Sequence, residues 1–364
     1  MKIIWLSWKD RGHPLSGGAE SVSGNIMDKL VRDGHTVKLI TARYPQDTAP
    51  TLPENFEIIR VGNRYTVYTE AKKYYMSHLE GWADVVIDEM NTIPFNSASY
   101  SKARNVLLCY QLAREVWLYQ MIAPLSFIGY LYEPFMLRSL AKKYQSIATE
   151  SQSTKNDMER YGFKNIDIFR VGMNTSPIKT LAKKRDKTMI LSLGSIRPMK
   201  RTLEAIKAFE FARDHNKSLT MTIAGDASGR YARKVAVYVA RSRHKEAMIM
   251  PGRVTAAERL SLMQTAGLLL VTSVKEGWGL IVTEANSQGT PAIVYDVDGL
   301  RDSVQHDVTG IVSVNNNPSA MGASILDLLS NDAKYSAIRK NAWEWSRQFT
   351  LENSYKDFLK IIIR

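Results

Sequence analysis

Short apolar runs of strand length alternate with stretches of helix length along most of this chain, and that alternation leaves few folds open. KIIWLSW (2–8) reads as a buried strand, 17–34 as a helix ending at a glycine, and HTVKLIT (35–41) as the next strand. Further strand candidates lie at 56–62, 84–89, 105–111, 146–151 and 167–172. Strands separated by helices imply parallel βαβ units joined by right-handed crossovers. The pattern restarts near 186, with strands expected at 187–195, 218–226, 246–252, 267–273 and 290–296. The 364 residues suit two cores of roughly 150–200 residues better than one. The expected class is therefore α/β, with two Rossmann-like, doubly wound domains facing across a cleft. The first is expected over 1–172 and the second over 187–345. The polar stretch 173–186, with its proline and the basic cluster Lys183, Lys184 and Arg185, reads as the linker. No repeat of solenoid spacing is present.

Composition narrows the partners. Hydrophobic residues make up 45% and charged residues 23%, which excludes a disordered chain. Cys109 is the single cysteine, so neither an intramolecular disulfide framework nor a thiolate zinc site can form, as suits a reducing cytoplasm. The first residues turn polar too soon for a signal peptide. A net charge of +13 favours anionic partners, although a merely solvated basic surface fits as well. Nucleic acid is not expected, because the basic residues are scattered and match no nucleic-acid-binding motif. The apolar stretch 116–137 has the length of a membrane span, but Gln120, Pro124, Glu133 and Pro134 interrupt it. Two readings stay open: a buried helical hairpin, or contact with an anionic membrane surface helped by the basic 138–144. The expected location is the cytoplasm, with peripheral attachment to the inner face of the membrane left open.

The segment 271–300, VTSVKEGWGLIVTEANSQGTPAIVYDVDGL, carries the most chemistry. A strand ends at Ser273, Glu276 follows in a loop, and Gly277, Trp278 and Gly279 lead into a helix from about Leu280 to Ser287. Ligands of open α/β sheets bind at the carboxyl ends of strands. A glycine loop entering a helix offers free backbone N–H groups and the positive end of a helix dipole, which suits a pyrophosphate. Glu276 and Glu284, one before the helix and one along it, are spaced to hold hydroxyls from two parts of one ligand. DVD (296–298) looks like a metal-binding D-x-D, but it follows a strand and reads as a loop turn. No other cluster has metal-ligand spacing, so neither a metal nor a cofactor is expected.

EGWGLIVTE (276–284) resembles the E-x7-E motif of glycosyltransferase family 4, retaining enzymes of GT-B fold, and other landmarks follow in order along nearly the whole chain. The resemblance implies that the C-terminal segment 346–364 forms a helix crossing back to the first domain. It places Gly17 and Gly18, in GGAE (17–20), at the donor phosphates, where a Cβ would block the backbone's approach. It identifies Lys200, in LGSIRPMK (193–200), as a cation for the pyrophosphate. Ser195 stands where the family usually has arginine, and Arg197 or Arg201 would take that role. Arg253 and Val254 would meet the nucleobase, and Gly277, Trp278, Gly279, Leu280 and Glu284 complete the donor site. Lys200, Arg197 and Glu276 are implied as the catalytic set. Glu89, Asn91, Tyr110, Arg114 and Glu115, in IDEMNTIPF (87–95) and YQLAREVW (110–117), are implied on the acceptor side, with Tyr110 where the family often has histidine. A structural ion pair is the other reading of Arg114 and Glu115. His13 is a further candidate at the donor, against the plainer reading of a solvated loop histidine. The implied reaction moves a sugar from a nucleoside-diphosphate sugar, its co-substrate, to a hydroxyl of a glycan or lipid-linked glycan in polysaccharide assembly. A different GT-B enzyme, such as a sugar-nucleotide epimerase or glycan phosphorylase, and a non-catalytic nucleotide-sugar-binding protein are the alternatives.

Overall fold

A computed structural model describes residues 1–45, 52–120, 123–182 and 186–364. Met121 and Ile122 of the apolar stretch, and the basic cluster Lys183, Lys184 and Arg185, lie outside the described residues. The chain divides into two compact units. Unit 1 comprises Met1–Trp117, Ala123–Gly172 and Thr350–Arg364, and unit 2 comprises Leu118–Ile122 and Met173–Phe349.

Unit 1 is built on the strands β1 (Lys2–Leu6), β2 (Thr36–Thr41), β3 (Phe56–Arg60), β4 (Val85–Met90), β5 (Arg104–Cys109), β6 (Ser146–Thr149) and β7 (Ile166–Ile168). They pair in the order β3-β2-β1-β4-β5-β6-β7, all parallel. Ile3, Ile4, Trp5 and Leu6 are all fully buried, as expected of a central parallel strand covered on both faces. The helix Gly18–Arg32 follows β1, and the turn after it passes through Gly34 at φ +82°, which an L side chain resists. The helix Leu351–Ile363 belongs to this unit. Its Phe358 stacks on Trp5 at 5.5 Å and meets Phe169 edge-on at 5.3 Å, while Asp357 accepts from both arms of Arg170 at 2.6 and 2.9 Å.

Unit 2 repeats the design with β8 (Met189–Leu193), β9 (Thr220–Ala224), β10 (Met248–Gly252), β11 (Leu268–Val271), β12 (Ala292–Val294) and β13 (Gly310–Val312). The order is β10-β9-β8-β11-β12-β13, again parallel. Strand β13 is absent from the sequence reading. The residues before β8 are fastened within this unit: Ile178 N–H donates to Ser287 O (3.0 Å) and Arg339 to Ala182 O (2.8 Å).

Both sheets reverse their strand order once, between β1 and β4 and between β8 and β11. At such a reversal the loops leaving two neighbouring strands run to opposite sides and open a crevice at their carboxyl ends. The loops after β1, β4, β8 and β11 are therefore where this architecture holds ligands.

Candidate active site

In unit 2 the loops after β8 and β11 carry the two strongest sequence motifs. Lys200 ends a short turn, Pro198–Lys200, held against the loop after β11. Thr272 Oγ1 donates to the carbonyls of Lys200 and Arg201 (3.0 Å each), and Val274 N–H donates to Met199 O (2.8 Å). That anchoring delivers Lys200 Nζ to Glu276 Oε1 at 2.5 Å, and Ser273 Oγ donates to the same oxygen at 2.5 Å. The pair is partly open to solvent, Lys200 about a third exposed and Glu276 less.

A second loop holds the first in place. Asp298 O accepts from Glu276 N–H (3.0 Å), and the Asp298 carboxylate pairs with the buried Lys275 (2.8 Å) and with Arg301. A Cβ on Gly299, at φ +77°, would fall 2.3 Å from Glu276 O, so only glycine lets the two loops close up. The D-x-D look-alike thus has its charges used internally, Asp296 also being paired with Arg301 at 2.6 Å. Among the described residues no group of three or more histidine, cysteine, aspartate or glutamate residues is placed to hold a metal ion.

Gly277, Trp278 and Gly279 lead into the helix Leu280–Ser287, entered through Gly279 at φ +88°. Trp278 is a brace: its indole N–H donates to Thr283 Oγ1 (2.8 Å), and its ring packs on Phe349 (5.1 Å) and Trp345 (6.0 Å). Glu284, on the buried side of the helix, is ion-paired with Arg259 of the helix Ala256–Thr265. Burial raises the Glu284 pKa above its ordinary value, and Arg259 opposes that shift. Arg259 is absent from the sequence reading, since a pairing between two helices leaves no mark in local spacing.

The carboxyl ends of β8, β9 and β10 are laced together by glycines. Gly225 N–H donates to Gly252 O (2.8 Å), Gly194 N–H donates to Ala224 O (2.9 Å), and a Cβ on Gly225 would lie 1.9 Å from Gly194 O. Arg197 and Arg253 are exposed here. The nearby Asp226 carboxyl is held below its usual value, chiefly by hydrogen bonds from Ser228 and further by these two arginines. Val254 is half-buried beside them. Arg201 pairs instead with Glu204 (3.7 Å).

The reversal in unit 1 is filled differently. Gly17 and Gly18 are exposed at the start of their helix, where Gly17 N–H donates to Glu20 (2.6 Å) and Glu20 pairs with Lys9 (2.9 Å). Glu89 at the end of β4 is buried and accepts from Trp5 Nε1 (2.8 Å), Ser23 Oγ (2.7 Å) and Asn91 Nδ2 (3.3 Å). Burial, with the charge of Glu20 behind it, pushes Glu89 up to about 7. Tyr110 is buried too, its hydroxyl bonded to Ser23 Oγ at 2.6 Å. Asn91 is half-buried. Asp88, which the sequence reading passed over, binds the backbone N–H groups of Phe95 (2.8 Å) and Ser97 (2.9 Å) and the Tyr144 hydroxyl, and so fixes the loop after β4.

Glu133 does the same for the loop carrying Arg114 and Glu115. It accepts from the backbone of Ala113 (2.9 Å) and Arg114 (2.7 Å) and from Trp117 Nε1 (3.0 Å). Arg114, at φ +36°, donates to Tyr130 O (3.1 Å) and lies over the Tyr130 ring, while Glu115 is exposed. His13 sits edge-on between Trp8 (5.3 Å) and Tyr44 (5.0 Å). Its pKa is lowered by burial and then by Lys9.

Two parallel sheets with this strand order are the two Rossmann-like units of the GT-B fold. Residues 175–345, a little under half of the chain, match the family model described as glycosyl transferases group 1. Over its full length the chain is similar to an uncharacterised glycosyltransferase of Methanocaldococcus jannaschii, at 24% identity covering all of both chains. Its fold is similar to sucrose-phosphate synthase from Thermosynechococcus elongatus, with a TM-score of 0.79 and 16% identity over 99% of this chain and 98% of that one. It is also similar to the Anabaena protein HepE, solved with UDP and glucose, with a TM-score of 0.72 and 15% identity over 100% and 99%.

Proposed function

We propose that the protein is a family 4 enzyme that transfers a hexose from a nucleoside-diphosphate sugar to an acceptor hydroxyl, with retention at the anomeric carbon and without a metal ion. The observation that carries this reading is the Lys200–Glu276 pair, set beside a glycine loop that opens a helix at the strand reversal of unit 2. The leaving diphosphate gains negative charge as the glycosidic bond breaks. Lys200, Arg197 and the backbone N–H groups of 277–280 are the donors that stabilise it in the transition state. Gly17 and Gly18 serve the phosphates by lacking a Cβ that would block the backbone's approach, the Gly17 N–H itself being given to Glu20. Glu276 orients the sugar, because both of its protein bonds converge on Oε1 and Oε2 can accept from a ligand hydroxyl. Glu284 accepts from the ribose, and Arg253 and Val254 meet the base. HepE was solved with UDP and glucose, which favours UDP as the first nucleotide to try.

The acceptor belongs to Glu89, Asn91, Tyr110, Arg114 and Glu115. Asn91 and Glu115 have surface to offer it, and Glu89 and Tyr110 act through the contacts they fix. A glycan or lipid-linked glycan, met at the inner face of a membrane during polysaccharide assembly, fits the +13 charge of the chain.

The test is thermal unfolding with UDP, GDP, ADP and their common sugars, repeated on Glu284→Ala. A ligand that binds only the folded state raises Tm by mass action. One nucleotide should raise Tm, and less so in the variant. No rise with any of them at millimolar concentration sinks the donor site. A rise without sugar transfer to any glycan or lipid-linked acceptor leaves a binding protein.

A further inference from the structure

The helix Leu125–Ala141 is apolar on two opposite sides, and only one of them is covered by its own unit. Leu137 and Leu140 enter the core beneath β5 and β6, and Glu133 reaches inward to the loop at 113–117. Leu125, Phe127, Ile128, Leu131, Tyr132 and Phe135 face away, with Leu131 66% and Phe135 69% exposed. At 3.6 residues per turn these six fall within an arc of about 160°, opposite the buried positions. A contiguous, bare apolar face of this size on a water-soluble unit marks an interaction surface.

We propose that this face docks the protein onto an anionic lipid bilayer, with the helix lying along the surface. Apart from the inward Glu133 the helix has no acidic residue, and Arg138, Lys142 and Lys143 are exposed at its carboxyl end, where phosphate headgroups attract them. Tyr132 has the apolar ring and polar tip suited to the headgroup boundary. The helix has 17 residues and rises about 25 Å, less than a hydrocarbon core of about 30 Å. Its inner side is held by protein, so it cannot cross. No helix among the described residues is long and apolar enough to do so. The +13 charge opposes pairing with a second copy.

This surface rests on the reading that the acceptor is presented at a membrane, but its test needs neither donor nor turnover. The full chain is floated with phosphatidylcholine vesicles, with and without phosphatidylglycerol. It should float with the anionic vesicles only. Leu131→Ser with Phe135→Ser, both at exposed positions, should weaken that partition by about tenfold or more. In a separate Leu131→Trp variant, the added indole should shift its emission to the blue when anionic vesicles are added. Unchanged flotation of the double variant, or no blue shift, overturns the proposal. So does a dimer in sedimentation velocity that the serine pair converts to monomer, which would assign the face to a second copy. The nucleotide-induced rise in Tm is read separately: its absence with vesicle binding intact would strike the donor reading alone.

Discussion

The two strand reversals share one topology and have opposite interiors. In unit 2 the reversal presents a solvent-reached lysine–glutamate pair and a glycine-lined helix entrance. In unit 1 the equivalent place is packed shut around Glu89, Ser23, Tyr110 and Trp5. The first arrangement can exchange a protein partner for a ligand at little cost, because both charges are already partly hydrated. The second cannot, because any exchange would strand a buried polar group. Topology fixes where a site can form, and the degree of burial decides whether it binds or braces.

The comparison predicts that the exposed pair responds to substitution in turnover, and that the packed residues around either reversal respond in stability. Lys200→Met should lower kcat by about a hundred- to a thousandfold, the usual loss for one transition-state donor, with little change in Tm. A variant with normal turnover would place the phosphate cation elsewhere. Gly299→Ala should destabilise the protein by about 2–4 kcal/mol, because the new methyl meets the Glu276 carbonyl at a left-handed φ. Chemical denaturation would read this, and the nucleotide-induced rise in Tm should vanish with it.

Glu89→Gln should act on stability instead. The folded carboxyl titrates near 7 against an ordinary 4.5, so the native state holds a proton that the unfolded chain has released. Stability contributed by this site is intact below pH 4.5, falls as pH rises toward 7, and is lower by at most about 3 kcal/mol above that. Glutamine keeps an acceptor for Trp5 and Ser23, so the variant should lose this slope and gain stability over wild type at pH 8. Equal slopes in the two proteins, or lost turnover with an unchanged slope, would erase the contrast between the reversals. The smallest effect is expected for Arg259→Met. It should cost about 1 kcal/mol of stability, discounted for the exposure of the arginine, and leave Glu284 easier to protonate. Nucleotide binding should then weaken at a higher pH than in wild type, which titration calorimetry across pH would detect.

Legibility in the sequence followed the range of the interaction. The strands of both sheets except β13, and the helix Leu280–Ser287, stand out because apolar period and glycine placement are local. The Lys200 turn and the Glu276 loop were marked separately by their own motifs. Their meeting at 2.5 Å follows from β8 and β11 being neighbours, which the strand order supplies and a motif does not. Glu133 registered only as an interruption in an apolar run, since its three donors lie 16 to 20 residues earlier in the chain. The burial of Glu89 and Tyr110 was hidden for the same reason: Trp5 and Ser23 come from elements far away in sequence.

The helix Leu351–Ile363 sets a timetable for synthesis. Trp5 is made before all of unit 2, and its stacking partner Phe358 after all of it. Nearly all of unit 2, by contrast, is the single run Met173–Phe349. A nascent chain can therefore close its second unit while the first still waits, one wall of its core unfilled, for residues 351–363 to leave the ribosome. The unit that starts first closes only after the other has been made, and a frameshift or early stop within Leu351–Ile363 would harm unit 1 more than unit 2.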